Sequence, residues 1–552
     1  MRRKKKNIVH IRIIKLTYLF LSVFVFLISR LYWIQIVNHK ELKSEALKQR
    51  ANRVSLYPNR GTIYDMNLIP LTNRDRVNTL YVSKNSFAKD IQLRNFILEF
   101  TDLTKNEIEK YNKSTDEILE LPLKRPVDKD KLPKNVFVAE RTLRYSEENI
   151  LSHVIGYMNR SDNKGEYGIE KVYDEILSNY NGKNILYLEL DDSKDLLLGG
   201  EYEVSRNMKS LEPAGVKLTV DYHIQKAVEK ILDENHVNGA VIVSDVKSGE
   251  IRALASRPNF DQNNIEEYLY ADNMALFNKA IQVGYPPGSL FKIVVLLTAL
   301  EEDWDYLNRT FYCKGYEEVG NVKINCNNTE GHGYINLKDA FSQSCNSVFI
   351  QLGKELGSQK IIDMAEKLGF GNIINIGLAD EVTGNLPKGN ELRGPAVGNI
   401  SIGQGSIEVT PLQMTNLLMI IANDGIQKGL TIVGGITNED GLIIKEYNKQ
   451  EDIRVISEEN CKIIKEFLID VVRNGTARKL NLDEYGGAAG KTGSAQGVLN
   501  GREIIHGWFT GYFPENNPKY VITVLVEEAK SGSQSAVPIF EQIVKEIYQL
   551  NR

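Results

Sequence analysis

The spacing of apolar and polar residues is most regular in the second half of the chain, where it predicts strands and helices. Apolar residues at helical spacing between 224 and 232 predict an amphipathic helix. Two apolar runs around the turn at 247–250 predict a hairpin. The predicted strands are 216–220, 240–246, 251–255, 508–513 and 520–526, and the other predicted helices are 291–300 and 539–550. Strands at both ends with helices between them indicate an α+β domain whose sheet is closed by both ends of that segment.

Residues 40–215 have a less regular pattern. We expect a strand at 80–83 and polar helical stretches at 103–111 and 146–152. Pro213 and Gly215 interrupt the pattern and favour a boundary. The sequence therefore predicts a division between 37–215 and 216–552.

The longest apolar run lies near the N-terminus, at 16–36, and Arg30 is its only charged residue. These 21 residues match the roughly 20 that a helix needs to cross the hydrocarbon core of a membrane. Arg30 lies near the far end, where its side chain can reach the interface beside Tyr32 and Trp33. A cleaved signal peptide would have a shorter apolar core and a small-residue cleavage site, which does not follow here. We expect an uncleaved anchor.

The segment before this run is basic and contains no acidic residue. Because basic flanks stay on the cytoplasmic side, we expect a cytoplasmic tail at 1–15, a single membrane-spanning helix at 16–36 and an extracytoplasmic remainder. The basic residues are Arg2, Arg3, Lys4, Lys5, Lys6, Arg12 and Lys15.

The composition is that of a globular protein, with 552 residues, 42% hydrophobic and 25% charged. At about 150 residues per domain there is room for three or four domains. Disordered, collagen-like and polytopic membrane classes are excluded. The 68 basic and 72 acidic residues give a net charge of −4, so we expect no nucleic-acid partner. Four cysteines are too few for a secreted protein framed by disulfides.

Ser289 and Lys292 are the first candidates for chemistry. They lie three residues apart where Pro286 and Pro287 lead into a predicted helix, and so share one face. A serine hydroxyl needs a neighbouring base to become a nucleophile, and a desolvated lysine with a lowered pKa can be that base. The spacing S-x-x-K also arises by chance in most long chains.

Two further elements lie downstream. Ser344-Cys345-Asn346 could relay a proton and hold an amide, and Lys491-Thr492-Gly493 could be an edge strand that binds an extended peptide and its carboxylate. Residues 490–492 also resemble the end of a phosphate-binding loop. However, Tyr485 occupies the position of that motif's first glycine, and no buried strand precedes it.

Together and in this order, S-x-x-K, S-x-N and K-T-G match the motif set of penicillin-binding proteins and serine β-lactamases. Over nearly its whole length the chain resembles the class B penicillin-binding proteins, which are monofunctional peptidoglycan transpeptidases. The Arg-Asn-Gly that usually follows the family's first pedestal motif is here Met-Asn-Leu at 66–68. The motifs similar to that pedestal are RGTIYD at 60–65, HVIGY at 153–157 and GIE at 168–170. Other similar stretches are GQG at 403–405, TPLQ at 410–413, GTA at 475–477, WF at 508–509 and GY at 511–512.

The resemblance implies an elongated, β-rich, dimerisation-like pedestal at 37–215 and a transpeptidase domain of the penicillin-binding/serine β-lactamase fold at 216–552. It implies that Ser289 is acylated by the penultimate D-Ala carbonyl of a stem peptide, or by a β-lactam, with Lys292 as the general base. Ser344 would pass the proton to the leaving group, and Asn346 would position the acyl amide.

In the same family pattern, Lys491, Thr492 and Gly493 form the strand that binds the terminal carboxylate of the substrate. The backbone N–H groups of Ser289 and Ser494 would form the oxyanion hole, where charge develops in the tetrahedral intermediate.

Three of the four cysteines, Cys313, Cys326 and Cys345, lie within 33 residues, with His332 between them. Three cysteines and one histidine are an established set for structural zinc, and some members of the resembled family carry zinc here. A Cys313–Cys326 disulfide would suit an outward-facing domain, and unrelated buried thiols are also possible. We expect a structural zinc and no organic cofactor.

The expected function is that of a membrane-anchored D,D-transpeptidase of cell-wall biogenesis and cell shape, a β-lactam target relevant to antibiotic resistance. A catalytically silent scaffold and a penicillin-sensing protein of the same fold are the alternatives. A β-lactamase would need a group that activates water for deacylation, and it would not need a pedestal or a membrane anchor. The expected partners are peptidoglycan stem peptides, β-lactams, the cell membrane and a polytopic membrane glycosyltransferase, since no glycosyltransferase domain fits residues 40–215.

Overall fold

The protein is described from a computed structural model. It describes residues 2–550 apart from 51, 57–59, 102, 105–107, 109–110, 112–116, 129–130, 134–135, 160–161, 180–182, 189, 191–193, 197–201, 206–211, 272 and 500.

The helices of the described residues include short single turns as well as long amphipathic elements. They are α1 (Arg2–Tyr32), α2 (His39–Arg50), α3 (Lys84–Lys89), α4 (Ile91–Phe100), α5 (Ser152–Ile155), α6 (Gly168–Val172), α7 (Asp174–Ser178), α8 (Tyr222–Glu234), α9 (Lys292–Glu302), α10 (Leu337–Ser342), α11 (Asn346–Leu356), α12 (Ser358–Lys367), α13 (Ala396–Ile400), α14 (Pro411–Ala422), α15 (Glu458–Arg473) and α16 (Val537–Leu550).

The strands of the described residues form several small sheets and one large one. They are β1 (Asn52–Ser55), β2 (Ile63–Tyr64), β3 (Arg76–Ser83), β4 (Ile118–Pro122), β5 (Val136–Thr142), β6 (Met158–Asn159), β7 (Lys164–Gly165), β8 (Lys183–Leu188), β9 (Tyr202–Ser205), β10 (Gly215–Leu218), β11 (Gly239–Asp245), β12 (Ile251–Arg257), β13 (Thr310–Cys313), β14 (Tyr316–Val319), β15 (Val322–Asn325), β16 (Gly333–Asn336), β17 (Ile426–Gln427), β18 (Val433–Thr437), β19 (Ile443–Glu446), β20 (Ile453–Arg454), β21 (Ala489–Leu499), β22 (Arg502–Phe513) and β23 (Tyr520–Val526).

The chain packs as two compact units that do not follow one cut in the sequence. The first consists of Met1–Pro58, Arg76–Leu143 and Gly182–Asn207, and the second of Asn59–Asp75, Arg144–Asn181 and Met208–Arg552. Two segments from before residue 215 therefore belong to the second unit. The proposed pedestal and catalytic domain boundaries stay a prediction.

The first unit contains the sheets β4-β3-β5 and β1-β8-β9, with a small apolar core under β3. It also contains the N-terminal helix. Residues Asn7–Val37 are long and apolar enough to cross a membrane, and the last five of them form a π-helical turn, Trp33–Val37. This includes the run at 16–36 in which a membrane span was expected.

The second unit is built on an antiparallel five-stranded sheet of order β12-β11-β23-β22-β21. The predicted hairpin is confirmed as β11 and β12, and the C-terminal strand β23 pairs with β11. The sheet is therefore closed by strands from both ends of this segment, as the sequence indicated.

Helices cover both faces of this sheet. Successive residues of a strand point to opposite sides, so neighbouring residues of β22 contact different helices. Phe509 packs edge-on against Phe540 of α16, with ring centroids 4.7 Å apart. The next residue, Thr510, faces the other side, where Thr523 bonds to Thr415 of α14. Every residue of α14 is buried, so this helix is the centre of the core.

A buried charge cluster holds segments 60–73 and 144–174 together within the second unit. Glu170 accepts from Arg60 Nε at 2.5 Å and from Arg144 Nε at 2.8 Å, and all three side chains are nearly inaccessible. Tyr145 donates a third hydrogen bond to the same carboxylate. The motifs at 60–65 and 168–170 are thus parts of one structural cluster.

Most of the predicted elements are confirmed, including the strand at 80–83, which lies within β3. The helix expected at 146–152 is wrong, because those residues form turns and α5 begins only at Ser152. The stretch at 103–111 lies mostly outside the described residues.

Candidate active site

Ser289 lies on a 3₁₀ turn, Gly288–Phe291, that leads directly into the buried helix α9. Gly288 has a φ of +54°, and a Cβ there would lie 2.8 Å from the backbone oxygen of Ser494. Only glycine fits this position, because it must be left-handed and also close to β21. The Gly288 N–H donates to Gly403 O at 2.9 Å, which fixes the turn from the other side.

Lys292 is fully buried, one turn after Ser289. Its ammonium donates to Ser344 O at 2.7 Å, to Asn346 Oδ1 at 2.7 Å and to Ser344 Oγ at 3.3 Å. These bonds use all three donors of an ammonium group. Burial lowers the pKa of Lys292 to about 8, although the thiols of Cys345 and Cys326 oppose this shift. A neutral amine is therefore accessible near neutral pH.

Ser344 and Asn346 lie at the start of α11, opposite Lys292. Ser344 adopts a left-handed backbone with a φ of +57°, which is uncommon for a residue other than glycine. The Asn346 side chain is held on both sides, since its Nδ2 donates to Asn325 O at 3.1 Å while its Oδ1 accepts from Lys292. Both side chains line the same cleft as Ser289.

Lys491, Thr492 and Gly493 lie on β21, which is an edge strand of the five-stranded sheet, as expected. Lys491 is fully buried, and burial together with the nearby Lys292 charge holds its pKa well below the usual range. A Cβ on Gly493 would lie 3.0 Å from Pro287 O, so the strand passes directly beside the turn that carries Ser289. Because residues 490–492 lie inside a strand, the phosphate-loop alternative is wrong.

The cleft wall beside β21 consists mainly of hydroxyl groups. Thr492 Oγ1 and Thr476 Oγ1 are 2.6 Å apart, and Ser533 Oγ donates to Thr476 O at 2.6 Å. Ser494 Oγ accepts from Gly532 N at 3.0 Å. Buried Lys491 lies beneath this wall, which suits the binding of an anionic group such as a carboxylate.

The cleft also contains residues to which the sequence assigned no role. They are Asn327, Ile402, Gln404, Thr476, Ser531 and Ser533. The stretches around Gln404 and Thr476 were recognised by resemblance, but no motif marked Asn327, Ser531 or Ser533. These residues come from segments far apart in the chain, so only the fold reveals their proximity.

The four predicted metal ligands, Cys313, Cys326, His332 and Cys345, come together. Their ligand atoms all lie within 4.8 Å of one another. Cys326 Sγ lies 3.7 Å from Cys345 Sγ and 3.7 Å from His332 Nδ1. Four ligands around a tetrahedral zinc, with Zn–S near 2.3 Å, would be spaced by about 3.8 Å. The donor set and the spacing therefore fit this metal.

The chemistry of the thiols also fits a metal site. All four cysteines are free, so a Cys313–Cys326 disulfide is not formed. The hydrogen bond from Cys345 lowers the pKa of Cys326, while the same contact and burial raise the pKa of Cys345. Cys345 is fully buried and immediately precedes Asn346, so this cluster lies directly behind the S-x-N element.

Comparison with known proteins gives one family and several relatives. The family profile described as "Penicillin binding protein transpeptidase domain" matches residues 239–545. Stage V sporulation protein D of Bacillus subtilis is 30% identical, over 96% of this chain and 84% of that protein. The peptidoglycan D,D-transpeptidase MrdA of Escherichia coli is 26% identical, over 92% of this chain and 89% of that protein.

Solved structures support the fold. The penicillin-binding protein PBP2 of Helicobacter pylori matches with a TM-score of 0.69 and 22% identity, over 90% of this chain and 99% of that one. The same Helicobacter pylori protein in complex with MreC matches with a TM-score of 0.65 and 23% identity, over 91% of this chain and 99% of that one.

Proposed function

Since the chain belongs to the penicillin-binding protein transpeptidase family and is a class B penicillin-binding protein, we propose that its cleft carries out acyl transfer through Ser289. It is a peptidoglycan D,D-transpeptidase, a serine-type acyltransferase. The observation that carries the assignment of residues is the meeting of Ser289, Ser344, Asn346 and Thr492 in one cleft, above two buried lysines.

In the first step, neutral Lys292 accepts the proton of Ser289, and Ser289 Oγ attacks the penultimate D-Ala carbonyl carbon. To act as a base, the amine gives up the weakest of its three hydrogen bonds, that to Ser344 Oγ at 3.3 Å. The bonds to Ser344 O and Asn346 Oδ1 keep its nitrogen in place. The carbonyl oxygen becomes an oxyanion, which we assign to the backbone N–H groups of Ser289 and Ser494.

The intermediate then collapses. The carbon–nitrogen bond breaks, the proton passes from Lys292 through Ser344 Oγ to the departing amine, and D-Ala leaves. An ester between Ser289 and the stem peptide remains. A β-lactam reacts in the same way, but its ring-opened amine stays attached to the acyl group.

In the second step, an amine of another stem peptide attacks the ester. Its proton passes back to Ser289 Oγ as the carbon–oxygen bond breaks, and a new amide cross-links the two peptides. Burial lowers the pKa of Lys491, and a substrate carboxylate beside it would favour its protonated form again, so the buried Lys491 beside Thr492 favours recognition of the terminal carboxylate.

A structural zinc on the Cys313, Cys326, His332 and Cys345 cluster is part of this proposal. Its support is the spacing of the four ligand atoms and the burial of the three thiols. When bound, zinc would supply folding free energy to the segment that carries Ser344 and Asn346. None of the chemical steps passes through it.

The apolar N-terminal helix suggests a membrane anchor, and we propose that the tail at 1–15 is cytoplasmic and the catalytic cleft extracytoplasmic. The peptidoglycan precursor and the polymerised glycan are then on the same side as the cleft. We propose a polytopic membrane glycosyltransferase as the partner that supplies glycan strands.

Labelling with fluorescent penicillin, and assay of stem-peptide cross-linking on a separate unlabelled sample, test this function. We expect a covalent penicillin label whose lifetime is much longer than one cross-linking turnover, and formation of a new amide by the unlabelled protein. A protein without a label would be the silent scaffold, a label lost rapidly by hydrolysis would indicate a β-lactamase, and a stable label without cross-linking would indicate a penicillin sensor.

A further inference from the structure

Tyr285 lies three residues before the 3₁₀ turn Gly288–Phe291, which carries Ser289, and its hydroxyl makes a hydrogen bond inside the protein. The phenol donates to Glu527 Oε1 at 2.7 Å, and the side chain is 4% exposed. Glu527 is the first residue after β23, which is a central strand of the large sheet. One hydrogen bond therefore connects the sheet to the segment that ends in Ser289.

The carboxylate of Glu527 is fixed on its other side. Its Oε2 accepts from Lys279 Nζ at 2.7 Å, and Lys279 also donates to Asn238 Oδ1 at 2.7 Å. The side chains of Lys279 and Glu527 are 2% and 9% exposed. Because a buried ion pair is held firmly only when its remaining polar atoms are bonded, this arrangement holds the Glu527 side chain in one position.

Other contacts place the Tyr285 backbone and ring. The Tyr285 N–H donates to Val409 O at 2.9 Å, and Val409 N–H donates back at 2.8 Å. The ring packs edge-on against His506 and Trp508. Trp508 Nε1 donates to Pro286 O at 3.1 Å, so the following residue is held as well.

We propose that Glu527 and Lys279 are positioning residues for acylation: through the Tyr285 phenol they fix the 285–288 segment, and thereby the position of Ser289 Oγ relative to Lys292. This inference rests on the proposed function. None of the three side chains lines the cleft, so their effect on catalysis passes through the turn. A misplacement of about 1 Å in a reacting group can cost roughly 10²-fold in rate.

Tyr285→Phe is the primary test, because it removes one hydroxyl and keeps the ring. Stopped-flow acylation by fluorescent penicillin separates the dissociation constant of the initial complex from the rate constant of acylation. We expect the rate constant to fall roughly 10-fold, with the dissociation constant changed less than about twofold. Glu527→Gln should show the same split, and the double variant should be no slower than the slower single variant, because both act through one contact.

Thr523→Val is the matched control. Thr523 is buried on β23, the same strand that Glu527 follows, and its hydroxyl bonds to Thr415 and Thr510 instead of the nucleophile segment. We expect a lowered melting temperature with an unchanged acylation rate constant. Acylation of Tyr285→Phe at the wild-type rate would overturn the inference, as would an equal slowing of Thr523→Val. Wild-type protein that is not acylated at all would overturn the proposed function itself, and the positioning role with it.

Discussion

The Lys292 ammonium and the Asn346 carboxamide oxygen lie 2.7 Å apart, although 54 residues separate them in the chain. This contact joins the S-x-x-K element on α9 to the S-x-N element at the start of α11. It also fills one of the three donors of Lys292, so the amine that we propose as the base is already oriented before substrate arrives.

Acylation should depend on pH through Lys292. Burial lowers the pKa of this group to about 8, and the neutral amine is the base in the proposed mechanism. The rate should therefore rise as pH increases through that value, by about tenfold between one unit below it and one unit above. Stopped-flow acylation across this range measures the profile. The Lys292→Ala variant, slowed by about 10²–10⁴-fold, should lack the rise. A flat wild-type profile would exclude Lys292 as the base.

Gly403→Ala should abolish acylation. Gly403 has a φ of +68°, and an added Cβ would lie 2.2 Å from the backbone oxygen of Gly288, the first residue of the turn that carries Ser289. Gly405→Ala is the control, because Gly405 has a φ of +82° but its nearest neighbour would be a side-chain carbon at 3.5 Å. In both variants an alanine in the left-handed conformation costs about 1–2 kcal/mol. Only Gly403→Ala also displaces the turn that carries Ser289. Penicillin labelling compares them, and equal labelling would contradict this view of the turn.

Cys326→Ser should remove the proposed zinc. Wild-type protein purified without chelator should contain about one zinc per chain by elemental analysis, and the variant should contain far less. We expect its melting temperature and its acylation rate to fall, because the metal would brace the backbone behind Ser344 and Asn346. Cys461→Ser is the control, since Cys461 is an equally buried free thiol on α15. Absence of metal from the wild type would refute the zinc assignment.

Glu170→Gln should destabilise the second unit by about 3–5 kcal/mol, because it leaves Arg144 buried without its counter-charge and leaves buried Arg60 with only Asp174. Glu234→Gln breaks an ion pair with Lys230 in the same unit, in which both side chains are more than half exposed, and should cost at most about 1 kcal/mol. Denaturant unfolding monitored together with loss of penicillin binding measures both. Similar values for the two variants would show that the buried cluster does not stabilise this unit.

The sequence predicted which residues carry the chemistry of the cleft better than it predicted how the fold brings the walls of the cleft together. The three short motifs and the cysteine–histidine spacing could be found without a structure, because their residue types and order are unusual together. Tyr285 and Glu527 could not, since their contact depends on how β23 packs beside a loop 242 residues earlier. The same is true of Ser531 and Ser533, which reach the cleft only because the segment after β23 folds back beside β21.

Local propensity also failed where tertiary packing decided the outcome. The polar stretch at 146–152 forms turns instead of a helix, and Tyr145 just before it is buried against Glu170. A buried phenol and two buried arginines fix this backbone more strongly than helix preference does.

The most direct test of the account is the site of covalent attachment. Wild-type protein and Ser289→Ala are exposed to penicillin and analysed by intact-mass spectrometry, with circular dichroism to confirm that both are folded. The wild type should gain the mass of one penicillin, and Ser289→Ala should gain none while keeping its melting temperature. A Ser289→Ala protein that still gains one penicillin mass would contradict the assignment of Ser289 as the nucleophile.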